Sequence, residues 1–377
     1  MLLNGQCLRS VDNKILKVDT DTETLKEAVE NNAFMTDSFT EVVKNAKNIM
    51  LITTALINDN IYEYIDSVCG GKLKTIIGMD VPNKYKDKVM EIDYHNIDDF
   101  EFFGANAGRA PVLFHKSIYD HDLIITVSGV FLCPVGGYAG TISTLFTSLS
   151  AAKSTASVLQ NALNDSVNRM TQLHSGVTIR NPVYESMREG IITAGRVMNH
   201  FAINITHDYR FADIRGQIYA GDLLISQIEA QNKITAFYTR ETEKPSLDGL
   251  RIEINYFQNI IYLISIIEVV CRKVKLGGRL LVVVDDIDTF GNDIFKEILN
   301  TSSLQDIINN MNEYNYMESF FAYILKYYAS IFHIGITSDE KINKDLIQAG
   351  LNPIEESDYD DFLKNCNLKE TVVNVRK

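Results

Sequence analysis

The 377 residues exceed what one hydrophobic core usually serves, which predicts two domains. Hydrophobic residues make up 46% and charged residues 23%, ordinary globular usage that argues against a disordered chain. The net charge of −13, with no Lys/Arg-rich run to offset it, repels phosphate backbones and anionic lipid and argues against nucleic-acid or membrane-surface partners.

Residues 23–48 show helical spacing with a polar face and run into the strand-like NIMLITTAL. DNIYEYIDSVCG predicts a helix over about 59–69, stopped at Gly70-Gly71, and LKTIIGMD then reads as a buried strand. This alternation is that of a parallel α/β sheet with right-handed crossovers. DLIITVSGVFL, residues 122–132, is the next strand, followed by the glycine-rich turn PVGGYAGTIST and a small-residue helix through SLSAAKSTASVLQNAL. Asn181-Pro182 opens another helix, since proline at a first helical position forfeits only an N–H that would be unpaired anyway. FAINIT and GQIYAG read as strand pieces around a turn.

From about 233 the pattern restarts with KITAFYT as a strand. A loop, RETEKPSLDG, leads to an apolar helix over roughly 252–274 that ends at Gly277-Gly278. RLLVVVDDID is the clearest buried parallel strand, and the aromatic helix MESFFAYILKYYASI and the strand FHIGIT follow. The tail ETVVNVRK could form a last strand. The expected fold class is α/β, with two domains of mainly parallel sheet flanked by helices and a cleft between them. The N-terminal domain would span 1–230, with the tail 370–377 as a candidate to return to it, and the C-terminal domain 231–369.

Several residues invite a chemical reading beside a plain one. Gly136-Gly137-Tyr138-Ala139-Gly140 lies between a strand and a helix, where backbone N–H groups favour an anion, but it has neither G-x-G-x-x-G spacing nor a P-loop lysine; ligand contact and a tight turn are both open. His200 and His207 do not share a helical face as paired ligands, and His121-Asp122 at a strand start suits a surface or capping group. Asp285, Asp286 and Asp288 follow the VVV strand, where carboxylates hold Mg²⁺ or merely close the strand as solvated acids. Cys133 has no basic neighbour in sequence to lower its pKa and reads as an inert buried thiol. The five cysteines (Cys7, Cys69, Cys133, Cys271, Cys366) form no C-x-x-C pair, so neither a disulfide framework nor a thiolate zinc site is expected. The opening MLLNGQCLRSVDNK has no signal-peptide core, and the longest apolar run, Ile260 to Cys271, is too short to span a bilayer; the chain reads as cytoplasmic.

HDLIITVSGVFLCPVGGYAG resembles the segment of the nickel-dependent lactate racemase family in which a strand leads to P-H-x-x-A-G-x-S-G-G-x-K. RNPVYESMREGIITAGRVMNHFAINIT, then IYAGDLL, resembles that family's N-P-x-x-x-x-M helix and later A-G-D, and CRKVKLGGRLLVVVDDIDTFGNDIF its second-domain glycine-pair strand. IDYHNIDDFEFFGANAGRAPVLFHKSIYDHD is similar to its H-D, L-G-x-T and G-x-P-V stretch. The resemblance is collective and extends over most of the chain from about residue 47. The family racemises 2-hydroxy acids by moving a hydride onto and off a nickel-bearing pyridinium pincer. Two histidines act as acid and base, a lysine tethers the pincer, another histidine ligates nickel, and a D-x-T-R arginine helps bind substrate.

The resemblance puts Ser143 in the lysine slot, with Gly137 and Gly140 in the cofactor-side turn, and Cys133 and Asp80 in the slots of the catalytic histidines. Thr53 and Leu56 stand for the D-x-T-R aspartate and arginine, Leu159, Gln160 and Asn161 span the nickel-histidine region, and Tyr262 and Ser265 fall where a glutamine and a lysine help hold substrate or cofactor. Serine cannot make the lysine's covalent link, and leucine offers no fork for a carboxylate. The resemblance therefore implies a divergent homologue without standard racemase activity, with no cofactor and no metal expected, that retains an interdomain cleft for a small-molecule ligand. One rival is an active racemase or epimerase of another 2-hydroxy acid that keeps the nickel-pincer nucleotide, with His174, His200 or His207 taking over in the cleft and Lys153 tethering the pincer. The other is a non-catalytic subunit that pairs with an active paralogue, marked by an apolar patch on the 314–328 helix.

Overall fold

A computed structural model gives the architecture; the structure describes residues 20–370 except 54–56, 79–80, 107, 165–172, 207–215, 239–246, 255–259, 285–290, 301–302, 338–341, 365 and 367. The described residues fall into two compact units, one ending at Tyr238 and the other following it. Each contains its own five-stranded sheet.

In the first unit, helices α1 (Thr22–Glu30) and α2 (Phe39–Asn45) lead to strand β1 (Ile49–Thr53), helix α3 (Asp59–Cys69) and strand β2 (Leu73–Ile77). The ribbon β3 (Phe100–Ala105) and β4 (Pro111–His115) precedes β5 (Leu123–Val130), the short hairpin β6 (Leu132–Cys133) and β7 (Gly137–Tyr138), and helices α4 (Thr141–Leu149), α5 (Ala152–Asn164) and α6 (Pro182–Ala194). Strands β8 (His200–Thr206) and β9 (Ile218–Gly221) and helix α7 (Leu223–Tyr238) complete it. The sheet order is β2-β1-β5-β8-β9, parallel except for β9. Every residue of β1 and β5 is buried, as a strand covered by helices on both faces requires, which is why both read as unbroken apolar runs. Local chemistry sets the ends: Gly70 closes α3 in a left-handed conformation with φ 56°, and the Asn181 side chain accepts from Val183 N at 3.1 Å and Tyr184 N at 3.2 Å to start α6.

In the second unit, β10 (Leu247–Ile254), helix α8 (Ile260–Cys271), β11 (Val274–Val284), helices α9 (Asp293–Leu299), α10 (Leu304–Asn309) and α11 (Tyr316–Ile331), β12 (His333–Thr337), helix α12 (Asn343–Gln348), β13 (Asn352–Ile354) and β14 (Leu368–Glu370) build a sheet of order β13-β12-β11-β10-β14 with all pairs parallel. Helix α11 packs Met317, Phe320, Phe321, Ile324, Leu325 and Tyr328 into this unit's own core. The two-domain α/β class of parallel sheets flanked by helices is the fold observed.

Three local expectations fail for definable reasons. Lys233–Tyr238 is the end of helix α7 and not a strand: Ser226, Gln227, Ala230, Gln231 and Ile234 are buried at helical spacing, and that periodicity overrides the β-branched and aromatic character of KITAFYT. The strand LDGLRIEI was hidden because its apolar positions Leu250 and Ile252 merge with the apolar run that follows. The helix after it ends at Cys271, and Gly277-Gly278 lie within β11. The last described strand is Leu368–Glu370, which pairs with β10 of the second unit; residues 371–377 lie outside the described residues. Among the described residues no helix is long and apolar enough to cross a membrane.

Candidate functional site

Because β2, β1, β5 and β8 run parallel, their carboxyl ends at Ile77, Thr53, Val130 and Thr206 share one edge, where open α/β sheets receive ligands. Thr53 sits there but is turned inward. Its Oγ1 pairs with the hydroxyl of Tyr62 at 2.8 Å, and a Cβ built on Gly78 would stand 2.4 Å from the same Oγ1. Leu56 and Asp80 lie outside the described residues.

Past Val130 the chain enters the β6–β7 hairpin and the glycine turn, and from Cys133 to Ile142 every residue is buried. The Cys133 sulfur, at the hairpin corner, accepts from Val135 N at 3.3 Å. Gly137 adopts φ 79°, and a Cβ there would stand 2.0 Å from the carbonyl oxygen of Val177, so only glycine admits this approach of backbone to backbone. The Gly176 N–H donates to the Gly137 carbonyl at 2.6 Å and seals the contact.

Helix α4 begins after Gly140 with its first donors engaged. Gly140 N donates to Ser143 Oγ at 3.2 Å, and that hydroxyl donates back to the Gly140 carbonyl at 3.0 Å. Thr141 N donates to Asn204 Oδ1 at 3.3 Å and Ile142 N to Gln227 Oε1 at 2.6 Å. The Thr141 hydroxyl reaches both amide oxygens, at 3.0 Å and 3.2 Å. Asn204 in turn donates to Ser226 Oγ at 3.0 Å. The positive end of the helix, a natural anion site, is thus met by two neutral side-chain carbonyls of the chain itself.

Strand polarity separates the remaining candidates. His200 starts β8 opposite Ile124, at the amino edge, away from the glycine turn. Burial drives its pKa down to about 4, partly opposed by Asp222, and its Nε2 is sealed without a partner. His121 is a staple, with Nδ1 2.8 Å from the Ser117 carbonyl and Nε2 2.8 Å from Thr75 Oγ1. His115 accepts at Nδ1 from Ser117 N at 3.2 Å, and burial lowers its pKa. His174 belongs to the turn whose Val177 N–H donates to the His174 carbonyl at 3.1 Å and which packs on Gly137. Lys153 is exposed on α5, where Leu159 is buried and Asn161 donates to the Gly108 carbonyl at 2.7 Å. In the second unit Tyr262 and Ser265 lie on α8, Ser265 half-buried. His207, Asp285, Asp286 and Asp288 lie outside the described residues. Among the described residues no group of three or more His, Cys, Asp or Glu is placed to hold a metal ion.

The structure of the lactate racemase apoprotein from Thermoanaerobacterium thermosaccharolyticum superposes with TM-score 0.72 at 17% identity, over 96% of this chain and 93% of that one. The chain has a lactate racemase-like fold. A structural-genomics protein from Thermotoga maritima shares it with TM-score 0.61 at 12% identity, over 95% of this chain and 97% of that one. No family model matches the chain, and no curated protein matches it. Within this lactate racemase-like fold, Cys133, Gly137, Gly140 and Ser143 come together in one turn, Thr53 ends the strand paired with β5 on the same sheet edge, and Tyr262 and Ser265 belong to the other unit. Asn204 and Gln227, which hold the turn, were not legible as site residues; the one available signal was a polar residue at the apolar phase of a strand or helix.

Proposed function

We propose that this chain is a divergent relative of the nickel-pincer lactate racemases that does not racemise 2-hydroxy acids. The observation that carries the proposal is the filled glycine turn: Val177 backbone occupies the space at Gly137, and Asn204 and Gln227 take the first N–H groups of α4. A pincer nucleotide would need an amine to tether it and open donors to receive it. Ser143 supplies no amine, and its hydroxyl is turned back onto Gly140. The residues present do not fit the group. A small ligand would be received at the carboxyl edge of the first sheet, outside the filled turn, while the net charge of −13 disfavours nucleic acid. The test is an assay of D- and L-lactate and other short 2-hydroxy acids with protein made alongside the pincer-synthesis enzymes. No interconversion is expected, and turnover of any one of them would refute the proposal.

One observation favours a second reading, an active racemase or epimerase with reassigned roles. Of the reassigned candidates in described segments, His174 alone belongs to the turn packed on Gly137, opposite Cys133 in the β6–β7 pair. Its decisive check is whether His174→Ala abolishes any turnover found. The paralogue-subunit reading loses its support, because the 314–328 helix spends its apolar residues inside its own unit.

A further inference from the structure

Gln227 is fully buried, yet only half of its amide is used. Its Oε1 accepts from Ile142 N at 2.6 Å and from the Thr141 hydroxyl at 3.2 Å, which fixes the amide orientation, since an N–H cannot face a second donor. The opposite group, Nε2, has no partner. A buried donor left unpaired carries a penalty of about 1–3 kcal/mol, so a side chain chosen only to cap the helix would not be expected to bring one. The amide also lies where Gly140 has no side chain: a Cβ there would stand 2.7 Å from Gln227 Cδ and 3.0 Å from Nε2. The glycine makes room, and the amide is aimed into the first turn of α4.

We propose that the N-terminus of α4 is a binding site for a small carboxylate, closed in this chain by Gln227 as an internal surrogate ligand. One carboxylate oxygen would take the place of Oε1 on Ile142 N and the Thr141 hydroxyl. The second would fill the volume that the amide nitrogen occupies now, and the negative charge would complement the helix dipole better than a neutral amide does. Gln227→Ala deletes an end group of about the size of acetate, which makes acetate the natural probe.

The experiment compares wild type, Gln227→Ala and Gln227→Met in chloride and in acetate at matched pH and ionic strength, by thermal melting and by the Ile142 amide resonance. Gln227→Ala is expected to melt below wild type in chloride, to recover progressively with acetate, and to show a saturable shift of the Ile142 amide at acetate concentrations that leave the wild-type resonance unmoved. Acetamide should act more weakly than acetate. Wild type and Gln227→Met, whose side chains still fill the site, should not respond. A variant that folds only in acetate supports the proposal equally. An Ile142 amide that acetate leaves unmoved in Gln227→Ala, an equal shift in wild type, or loss of fold in both salts would overturn it. The readout is an amide and not turnover, so this inference and the proposed loss of racemase activity fail separately.

Discussion

The Ile142 N–H of helix α4 and the Gln227 Oε1 of helix α7 meet at 2.6 Å although 85 residues separate them in sequence. That bond, with Asn204 beside it, ties α4, α7 and β8 into one buried polar knot at the glycine turn.

Asn204 is the member with the most to lose. It accepts from Thr141 N and the Thr141 hydroxyl and donates to Ser226 Oγ, all out of solvent. Asn204→Ala strands buried donors and should lower unfolding stability by about 2–4 kcal/mol. Urea denaturation with an unchanged m-value would register this; a loss below about 0.5 kcal/mol would mean water replaces the amide freely.

Gly137 and Gly71 form a matched pair. Both have positive φ, 79° and 83°, but a Cβ on Gly71 meets nothing within 4 Å while one on Gly137 meets Val177 backbone. Gly71→Ala should therefore cost only the conformational strain, about 1 kcal/mol, and Gly137→Ala clearly more, about 3 kcal/mol or above. Comparable melting temperatures for the two variants would show that the turn is not closed by residues 176–177.

His200 predicts an acid limb. Its folded pKa, held near 4 by burial, lies below the ordinary 6.5 of the unfolded chain, so the unfolded state gains a proton first. Its stabilising share is complete above pH 6.5 and is lost as the pH falls toward 4, by at most about 3 kcal/mol. His115, shifted in the same direction, adds to the trend. Unfolding measured at pH 7 and pH 5 should show a smaller drop for His200→Gln than for wild type.

In the second unit the carboxylate of Glu268 is fully buried and pairs with the guanidinium of Arg272 one turn on. Arg272→Leu should cost about 3 kcal/mol by leaving that charge poorly compensated, and adding Glu268→Leu should restore most of the loss. Additive losses in the double variant would assign the pair a packing role only.

How far such features can be read without coordinates depends on whether their cause is local. Strands β1, β5 and β11 announce themselves because burial on both faces demands continuous apolar runs, and Asn181-Pro182 announces α6 because the cap is written in adjacent residues. KITAFYT misleads because its helical register is set by Gln227, Ala230 and Gln231 upstream. At the site, the glycines and the absent lysine are visible in the sequence. What fills the turn is not, because Val177, Asn204 and Gln227 reach it from 40, 63 and 85 residues away, the first counted from Gly137. No local pattern encodes such contacts.

The most direct test of the account is the intact mass and nickel content of the protein purified from cells that also make the pincer. An unmodified polypeptide mass and nickel far below one atom per chain are the predicted result. A covalent adduct of pincer mass, accompanied by stoichiometric nickel, would contradict it.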